Sequence, residues 1–471
     1  MKILLIDAPF DSRFSGGKKK SLSSVLNIIP SLGLGYLAAI AEREGHQVRV
    51  LDCAMVPGEN AVAITARTFA PDVIGLTATT PSMPSVLETA RAAREAAPGA
   101  SVIVGGPHPT AMPAATAVHD EFDFVVVGEG EVTFARLLRY LSGAGPESPD
   151  EIEGIAFRRA GGVVTTAPRE HIADLDTLPF PERRLFPPLK SYRPTPASCR
   201  RLPLAHVMTS RGCPSRCRFC DRAVFGERFR ARGAGDVMAE IEELVRTQGV
   251  REIRFFDDTF TLNRRRLEEI CSALRGFRPR LAWTCLTKVD AVRPDTLRMM
   301  REAGCWQVLF GLESGDDRVL ESLGKKTTVE QNRRAVLWAR EAGLRVRADF
   351  LVGSPMETLQ SLEKTLAFAK SLPLDFAHFN KFVPFPGSSF YAELVGEEQV
   401  IDFTGGASIL DHEEILYVPP GLTRDAFREF LNRSYRSFYL RPRYLAGRLA
   451  AMRTLTELRG SIRGAIDINS I

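Results

Sequence analysis

No stretch of this chain is apolar for the roughly 18–20 residues that a membrane-crossing helix needs, which excludes a membrane-spanning helix. The first residues, MKILLIDAPF, lack the layout of a secretory leader, because an acid and a proline interrupt the apolar stretch at once, so a cytoplasmic protein is expected. Charge of one sign is scarce too. A formal net charge of +5 over 471 residues does not by itself argue for a nucleic-acid partner. Internal repeats and low-complexity tracts are absent. Cysteine is too sparse for a disulfide scaffold: of eight, Cys53, Cys199, Cys271, Cys285 and Cys305 stand singly. What is present is a hydrophobic fraction of 44% with 25% charged residues, the balance of a soluble globular protein long enough for two or three domains.

Strand-like and helix-like segments alternate from the start. KILLID (2–7), QVRVLD (47–52), DVIGLTA (72–78), SVIVGG (101–106) and FDFVVVGEGE (122–131) read as strands. Helices are expected after Pro30, at 61–69 and over SVLETARAAREAA. Such alternation predicts an α/β domain over 1–140, a doubly wound parallel sheet of Rossmann-like kind. Residues 141–200, rich in Gly, Pro and Asp, read as a connector with a hairpin around Gly161-Gly162. From Leu204 six more strand segments alternate with five helices up to about 390, the pattern of a partial (β/α)6 barrel of TIM type. Residues 391–471 are expected to be helical and basic. From Arg433 to Arg463 eight arginines face one acid, Glu457. That stretch is either a helix packed on the barrel with its arginines in solvent or an amphipathic helix in peripheral contact with a membrane surface.

Three cysteines do cluster, in TSRGCPSRCRFCDR, directly after a predicted strand. Cys213, Cys217 and Cys220 have the spacing C-x3-C-x2-C. Three thiolates on one loop can hold three irons of a [4Fe–4S] cube and leave the fourth iron open. An open position makes sense when something else binds there. Zinc, the rival occupant, usually wants four ligands in pairs, and no second C-x2-C or H-x3-H is present.

With this motif following a doubly wound domain, the chain resembles the cobalamin-binding radical S-adenosylmethionine (SAM) proteins. That family includes radical methyltransferases and the anaerobic magnesium-protoporphyrin monomethyl ester cyclase. The resemblance implies three cofactors: a [4Fe–4S] cluster, SAM and cobalamin. Phe219 fits the aromatic that commonly precedes the last cysteine. By resemblance Asp257 and Asp258 stand where SAM's amino group is met, and Glu313 and Ser314 lie in the G-x-E-S-G segment of the SAM pocket. Arg347 resembles the strand-five basic residue near SAM's carboxylate, and Gly353 lies in the turn flanking the adenine. Taken singly, each of these acids could equally cap a helix or end a strand in solvent. Arg211, Arg216, Arg218 and Arg222 surround the cysteines and would favour an anionic cluster, although most read as surface charge.

In the N-terminal domain the strand ends carry Thr77, Thr79, Gly105, Gly106 and Gly128, small or hydroxylated residues that let a bulky flat ligand approach. The D-x-H-x-x-G segment that supplies a histidine to cobalt in related domains is missing. Asp7-Ala8-Pro9-Phe10-Asp11-Ser12 stands there, and His46 and His108 are the nearest candidates. Cobalamin without a protein histidine on cobalt is therefore expected. The activity implied is methyl transfer to an unactivated carbon through a substrate radical; a radical cyclase or rearrangement enzyme of the same architecture is the first alternative, and a non-catalytic iron–sulfur or cobalamin-binding protein the second. The partners implied are a small-molecule or lipid-like substrate and a reducing protein such as flavodoxin or ferredoxin.

Overall fold

The computed structural model describes residues 1–9, 28–56, 60–395 and 415–451. The polar loop expected up to Lys20 and the end of the basic stretch lie outside these residues.

The strand β1 (Lys2–Asp7) is buried over its middle four residues, because its side chains feed two cores at once. Leu4 and Ile6 pack on one sheet face, and Ile3 and Leu5 on the other. Such a strand must be central, and β1 lies between β2 (Gln47–Asp52) and β3 (Val73–Thr77), parallel to both. The parallel run continues through β4 (Ser101–Gly105) and β5 (Phe124–Val126). Helix Leu32–Arg43 covers one face, together with Gly130–Leu141, and helices Ala61–Phe69 and Met83–Ala96 cover the other. The order β2-β1-β3-β4-β5 reverses between β1 and β3, so the crevice outside their carboxyl ends is the expected ligand position.

The hairpin assigned above to a connector instead extends this sheet. Its strands β6 (Ile155–Arg159) and β7 (Gly162–Thr165) add antiparallel at the β5 edge. Gly161 and Gly162 both take positive φ at the turn. Ile155 and Phe157 are buried in the sheet's own core, which is why the hairpin stays with it. The expected strand at 122–131 is shorter, because its Gly-rich exit turns directly into helix Gly130–Leu141.

The second sheet consists of six parallel strands, β8 (Leu204–Val207), β11 (Glu252–Phe255), β12 (Ala282–Thr287), β13 (Cys305–Glu313), β14 (Arg345–Val352) and β15 (Phe376–Lys381), in the order β15-β14-β13-β12-β11-β8. Two short strands, β9 (Ser210–Arg211) and β10 (Arg230–Ala231), bracket the cysteine segment. Alternation decides what each strand presents. In β14, Val346, Ala348, Phe350 and Val352 join the core under the surrounding helices, which leaves Arg347 and Asp349 on the inner wall of the half-barrel. Each fully buried Leu, Ile or Phe in that core contributes roughly 1.5–3 kcal/mol.

Helix Arg424–Tyr439 settles one of the alternatives for the basic stretch. Phe427, Phe430, Leu431 and Phe438 are buried in the barrel core. The Tyr439 hydroxyl donates to Ala377 O at 2.8 Å and accepts from Ala377 N at 3.1 Å, and the Tyr435 hydroxyl accepts from Phe379 N at 3.2 Å. Edge strand β15 thereby has backbone groups satisfied by tyrosines. The described part of the arginine-rich segment is thus packed on the barrel. Among the described residues no helix is long and apolar enough to cross a membrane.

Candidate functional site: a cysteine loop at the rim of the half-barrel

The loop that carries the three cysteines follows β9 and is shaped by one glycine. Gly212 has φ +82°, and a side chain there would collide with the carbonyls of Arg228 and Phe225. Beyond it Cys213 is partly exposed, Cys217 buried and Cys220 exposed. All three thiols are free and within electrostatic reach of one another. Among the described residues no three His, Cys, Asp or Glu side chains converge on a single point, as the ligands of one ion would. Although its edge reaches solvent, the protein packed around Cys220 pushes its thiol up to about 12, and Cys217, Asp258, Cys213 and Asp221 push the same way, so this thiol needs positive charge or iron to ionise.

That positive charge comes from residues that no motif marked. Lys325 is buried and bonds Glu313 Oε1 at 2.7 Å. Burial alone would lower its pKa, yet Glu313 and Cys217 together raise it, and the net shift is upward. Lys288, at the exit of β12, donates to Ser215 Oγ in the cysteine loop at 2.8 Å. The arginines around the cysteines pair with other acids, as most were expected to be surface charge: Arg218 pairs with Glu393, and Arg222 and Arg216 with Glu227, while buried Arg211 pairs with Glu129 and Glu131. Lys325 follows Gly324 at a helix stop, a place where lysine is commonplace, so its sequence context carried no signal.

Glu313 stands out by its backbone. It has φ +61°, which only a few per cent of non-glycine residues adopt, and it follows an irregularity in the β13–β14 register. Strain of that kind, of order 1–3 kcal/mol, persists where surrounding structure holds a side chain in a set direction. Its Oε2 has no hydrogen bond among the described residues. Ser314, by contrast, is engaged locally, with its hydroxyl 3.0 Å from Thr365 Oγ1 and accepting from Asp316 N.

The two acids after β11 divide their work. Asp257 is buried and accepts from Thr209 N at 2.6 Å, Thr209 Oγ1 at 2.5 Å and Ser210 N at 3.2 Å, so its carboxylate ties down the segment entering the cysteine loop. Asp258 is exposed at the rim, where burial by the walls and then the Asp257 charge raise its carboxyl pKa. Arg347 sits deeper than the rim and bonds His378 Nδ1 at 3.1 Å. Gly353, with φ +86°, has the Phe427 ring where a side chain would be, which gives this glycine a packing role for the C-terminal helix.

At the carboxyl edge of the N-terminal sheet, Thr77 ends β3, and Gly106 (φ +104°) leaves room for the Thr77 hydroxyl. The Thr79 hydroxyl lies 3.0 Å from Ser82 Oγ within a turn. A side chain at Gly105 would meet only Val126, while Gly128 (φ +78°) opens onto free space and its N–H donates to Thr110. His108 stands at this edge, half-buried, with Nδ1 3.2 Å from Thr80 Oγ1; burial lowers its pKa to about 4 and keeps it neutral. His46 lies at the opposite edge, against the N-terminal amine of Met1.

The two domains meet at these sites. A side chain at Gly387, in the loop after β15, would touch both Asp221, next to Cys220, and Ala111, at the end of the short helix Pro107–Ala111 after β4. Glu129, after β5, accepts from Arg211 and Arg230 beside the cysteine loop. The sheet's carboxyl edge therefore faces the cysteine loop.

Comparison with known proteins agrees with this architecture. Residues 207–369 match the model of the radical SAM superfamily, and residues 19–138 that of the B12 binding domain. An uncharacterised methyltransferase of Pyrococcus horikoshii is 34% identical over 94% of each chain. The chain belongs to the B12-binding radical SAM family. It is a radical SAM enzyme with the family's cofactors, a [4Fe–4S] cluster, SAM and cobalamin. The anaerobic magnesium-protoporphyrin IX monomethyl ester cyclase of Cereibacter sphaeroides is 30% identical, with 88% of this chain and 67% of the cyclase covered. The solved structure of the radical SAM methyltransferase TsrM from Kitasatospora setae shares the fold, with a TM-score of 0.72 over 99% of this chain and 98% of TsrM at 17% identity.

Proposed function

We propose that this radical SAM enzyme transfers a methyl group to an unactivated carbon of a small molecule, with Cys213, Cys217 and Cys220 holding the cluster and the edge at Thr77, Gly106 and Gly128 holding cobalamin. The single observation that supports this reading is the approach of Ala111 and Glu129, at the sheet's carboxyl edge, to the cysteine-loop side of the barrel. When bound, the cluster and SAM supply a radical and cobalamin supplies the methyl group. The chain's own residues hold and screen. Lys325 and Lys288 neutralise thiolates, Glu313 Oε2 is free to accept from SAM's amino group, and Asp258 extends the same acidic rim. Asp257 and Ser314 are positioning residues rather than ligands. An acidic reducing protein such as flavodoxin or ferredoxin would supply the electron.

The test is anaerobic reconstitution with iron, sulfide and cobalamin, followed by SAM-cleavage assays and product masses with candidate small molecules. Product heavier by one methylene supports the reading. Loss of hydrogens or unchanged mass favours a cyclase or rearrangement enzyme, and no SAM cleavage overturns it. Cobalt(II) resonance then reads the lower axial position, where nitrogen splitting lost in His108→Ala would assign His108 as ligand. Glu313→Ala is expected to weaken SAM binding by about 10- to 150-fold, the loss of one charge-assisted hydrogen bond of roughly 1.5–3 kcal/mol. Equilibrium dialysis measures it beside iron content. Unchanged affinity with full iron would mean Glu313 serves Lys325 alone.

A further inference from the structure

Small β/α barrels usually fill their interior with branched apolar side chains. This half-barrel does not. On its inner wall Arg254 pairs in register with His206 and Thr284, and Asp349 with His378. Arg347, two residues from Asp349, completes a belt of polar side chains. Few of them satisfy one another. Both ring nitrogens of His206, which is only 2% exposed, are buried without a hydrogen bond among the described residues, as are Thr284 Oγ1, Arg347 Nε and Asp349 Oδ1. Asp349 Oδ1 lies 3.8 Å from Arg347 Nε and 3.6 Å from His378 Nδ1, too far to bond either. The Arg254 guanidinium has no hydrogen bond among the described residues and sits 5.9 Å from the Phe256 ring.

The charges do not balance. Burial, then the neighbouring arginines, lower His206 and His378 to about 3, so both rings are neutral. Two guanidiniums thus have Asp349 between them, while Glu252, the other acid that acts on Arg254, accepts from Arg200 N, Arg201 N and Trp306 Nε1 and is pushed up to about 7 by burial. Burial, and after it the Arg347 charge, lower Arg254 to about 10, which leaves it cationic. A buried cation without a partner is costly and calls for an anion.

The place of this belt is set by register. Gly311 pairs with Asp349, and a side chain on Gly311 would run into Glu313 Oε1 and lie 2.9 Å from Lys325 Nζ. The Glu313–Lys325 pair therefore lies over the Asp349 level, and Arg347 is two residues deeper, roughly 7 Å down the strand.

We propose that Arg254 and Arg347 bind a carboxylate or phosphate group carried by the substrate, so that the substrate is a small anion anchored inside the barrel with its reacting carbon toward the rim. His206, Thr284 and His378 supply further hydrogen bonds, and Asp349 is the charge the bound anion competes with. This deepens the methyl-transfer reading and rests on SAM occupying the rim at Glu313.

The test uses the full chain with its cluster reconstituted, and inorganic phosphate as probe. Phosphorus resonance broadening is followed with and without saturating SAM, and acetate is added as competitor. Phosphate is expected to bind, to be displaced by acetate, and to stay bound when SAM is added. Arg254→Gln and Arg347→Gln should each weaken it at least tenfold, and Asp349→Asn, which removes the competing charge, should tighten it several-fold. Competition between SAM and phosphate would assign the arginines to SAM's own carboxylate and overturn the proposal. So would absent phosphate binding, or binding unchanged in the arginine variants. Should those variants fail to fold, Asp349→Asn decides, since weaker or equal binding overturns the proposal. Failure of the unsubstituted protein to retain iron or bind SAM would instead sink the underlying reading, and the phosphate titration would register that separately.

Discussion

Replacing Cys213, Cys217 and Cys220 together with alanine is expected to remove the visible absorbance of the cluster and all SAM cleavage, while iron and cleavage both survive in Cys271→Ala and Cys305→Ala. The contrast is sharp because the structure holds two groups of three cysteines. Cys271, Cys285 and Cys305, scattered in sequence, meet in the barrel core, all buried among apolar side chains. Burial pushes the Cys271 thiol up to about 12, the neighbouring Cys305 adds to it, and Arg275 offsets only part of the rise. Thiolate, not thiol, binds metal, so the core group behaves as small hydrophobes. Truncating one of them costs stability rather than iron. Iron analysis and reverse-phase detection of 5′-deoxyadenosine check both halves. A full cluster in the triple alanine variant would overturn the assignment of the cysteine loop.

What could be read from residues alone was whatever local spacing encodes. The C-x3-C-x2-C segment and the strand–helix alternation carry their meaning within about ten residues, and both sheets follow from them. The rest depended on partners distant in the chain. The β6–β7 hairpin was recognisable as a hairpin, but its addition to the β5 edge depends on Ile155 and Phe157 finding a core built by residues 3–138. Asp257 and Asp258 are adjacent and chemically identical, and only the fold turns one toward the Thr209 backbone and the other to the rim. Lys325 and Arg254 belong to no motif; they matter because a buried carboxylate bonds the first, while Asp349 and Glu252, the carboxylates that act on the second, make no hydrogen bond to it among the described residues. The basic, aromatic stretch from Arg433 could be read as a helix packed on the barrel or one lying on a membrane surface, and only the hydroxyls of Tyr435 and Tyr439 on strand β15 bring its described part onto the barrel.

Glu129→Ala is expected to destabilise the protein by about 3–5 kcal/mol, the usual consequence of removing one partner from a buried ion pair. Glu129 is 6% exposed and accepts from Arg211 Nη1 at 3.0 Å, Arg230 Nη1 at 2.8 Å and the Ile172 N–H at 2.7 Å. Its loss would leave Arg230 without a carboxylate and Arg211 with Glu131 alone, at 2.5 Å. Burial works against the Arg211 charge, and Glu131 and Glu129 together more than offset it, raising its pKa, so the pair of acids keeps this guanidinium ionised in the interior. Arg211 and Arg230 belong to β9 and β10, the two strands that bracket the cysteine segment, and Glu129 belongs to the sheet's carboxyl edge. One carboxylate therefore fastens the carboxyl edge of the N-terminal sheet to the frame of the cysteine loop. Two measurements should move together in the variant: the denaturant midpoint falls, and cleavage by a dilute protease within residues 141–200 speeds up as the domains part. Glu129→Gln, which keeps the shape and can still accept hydrogen bonds, is expected to lose less. A midpoint unchanged within about 0.5 kcal/mol in Glu129→Ala would mean that the two arginines find solvent or other acids, and that the edge is held by packing alone.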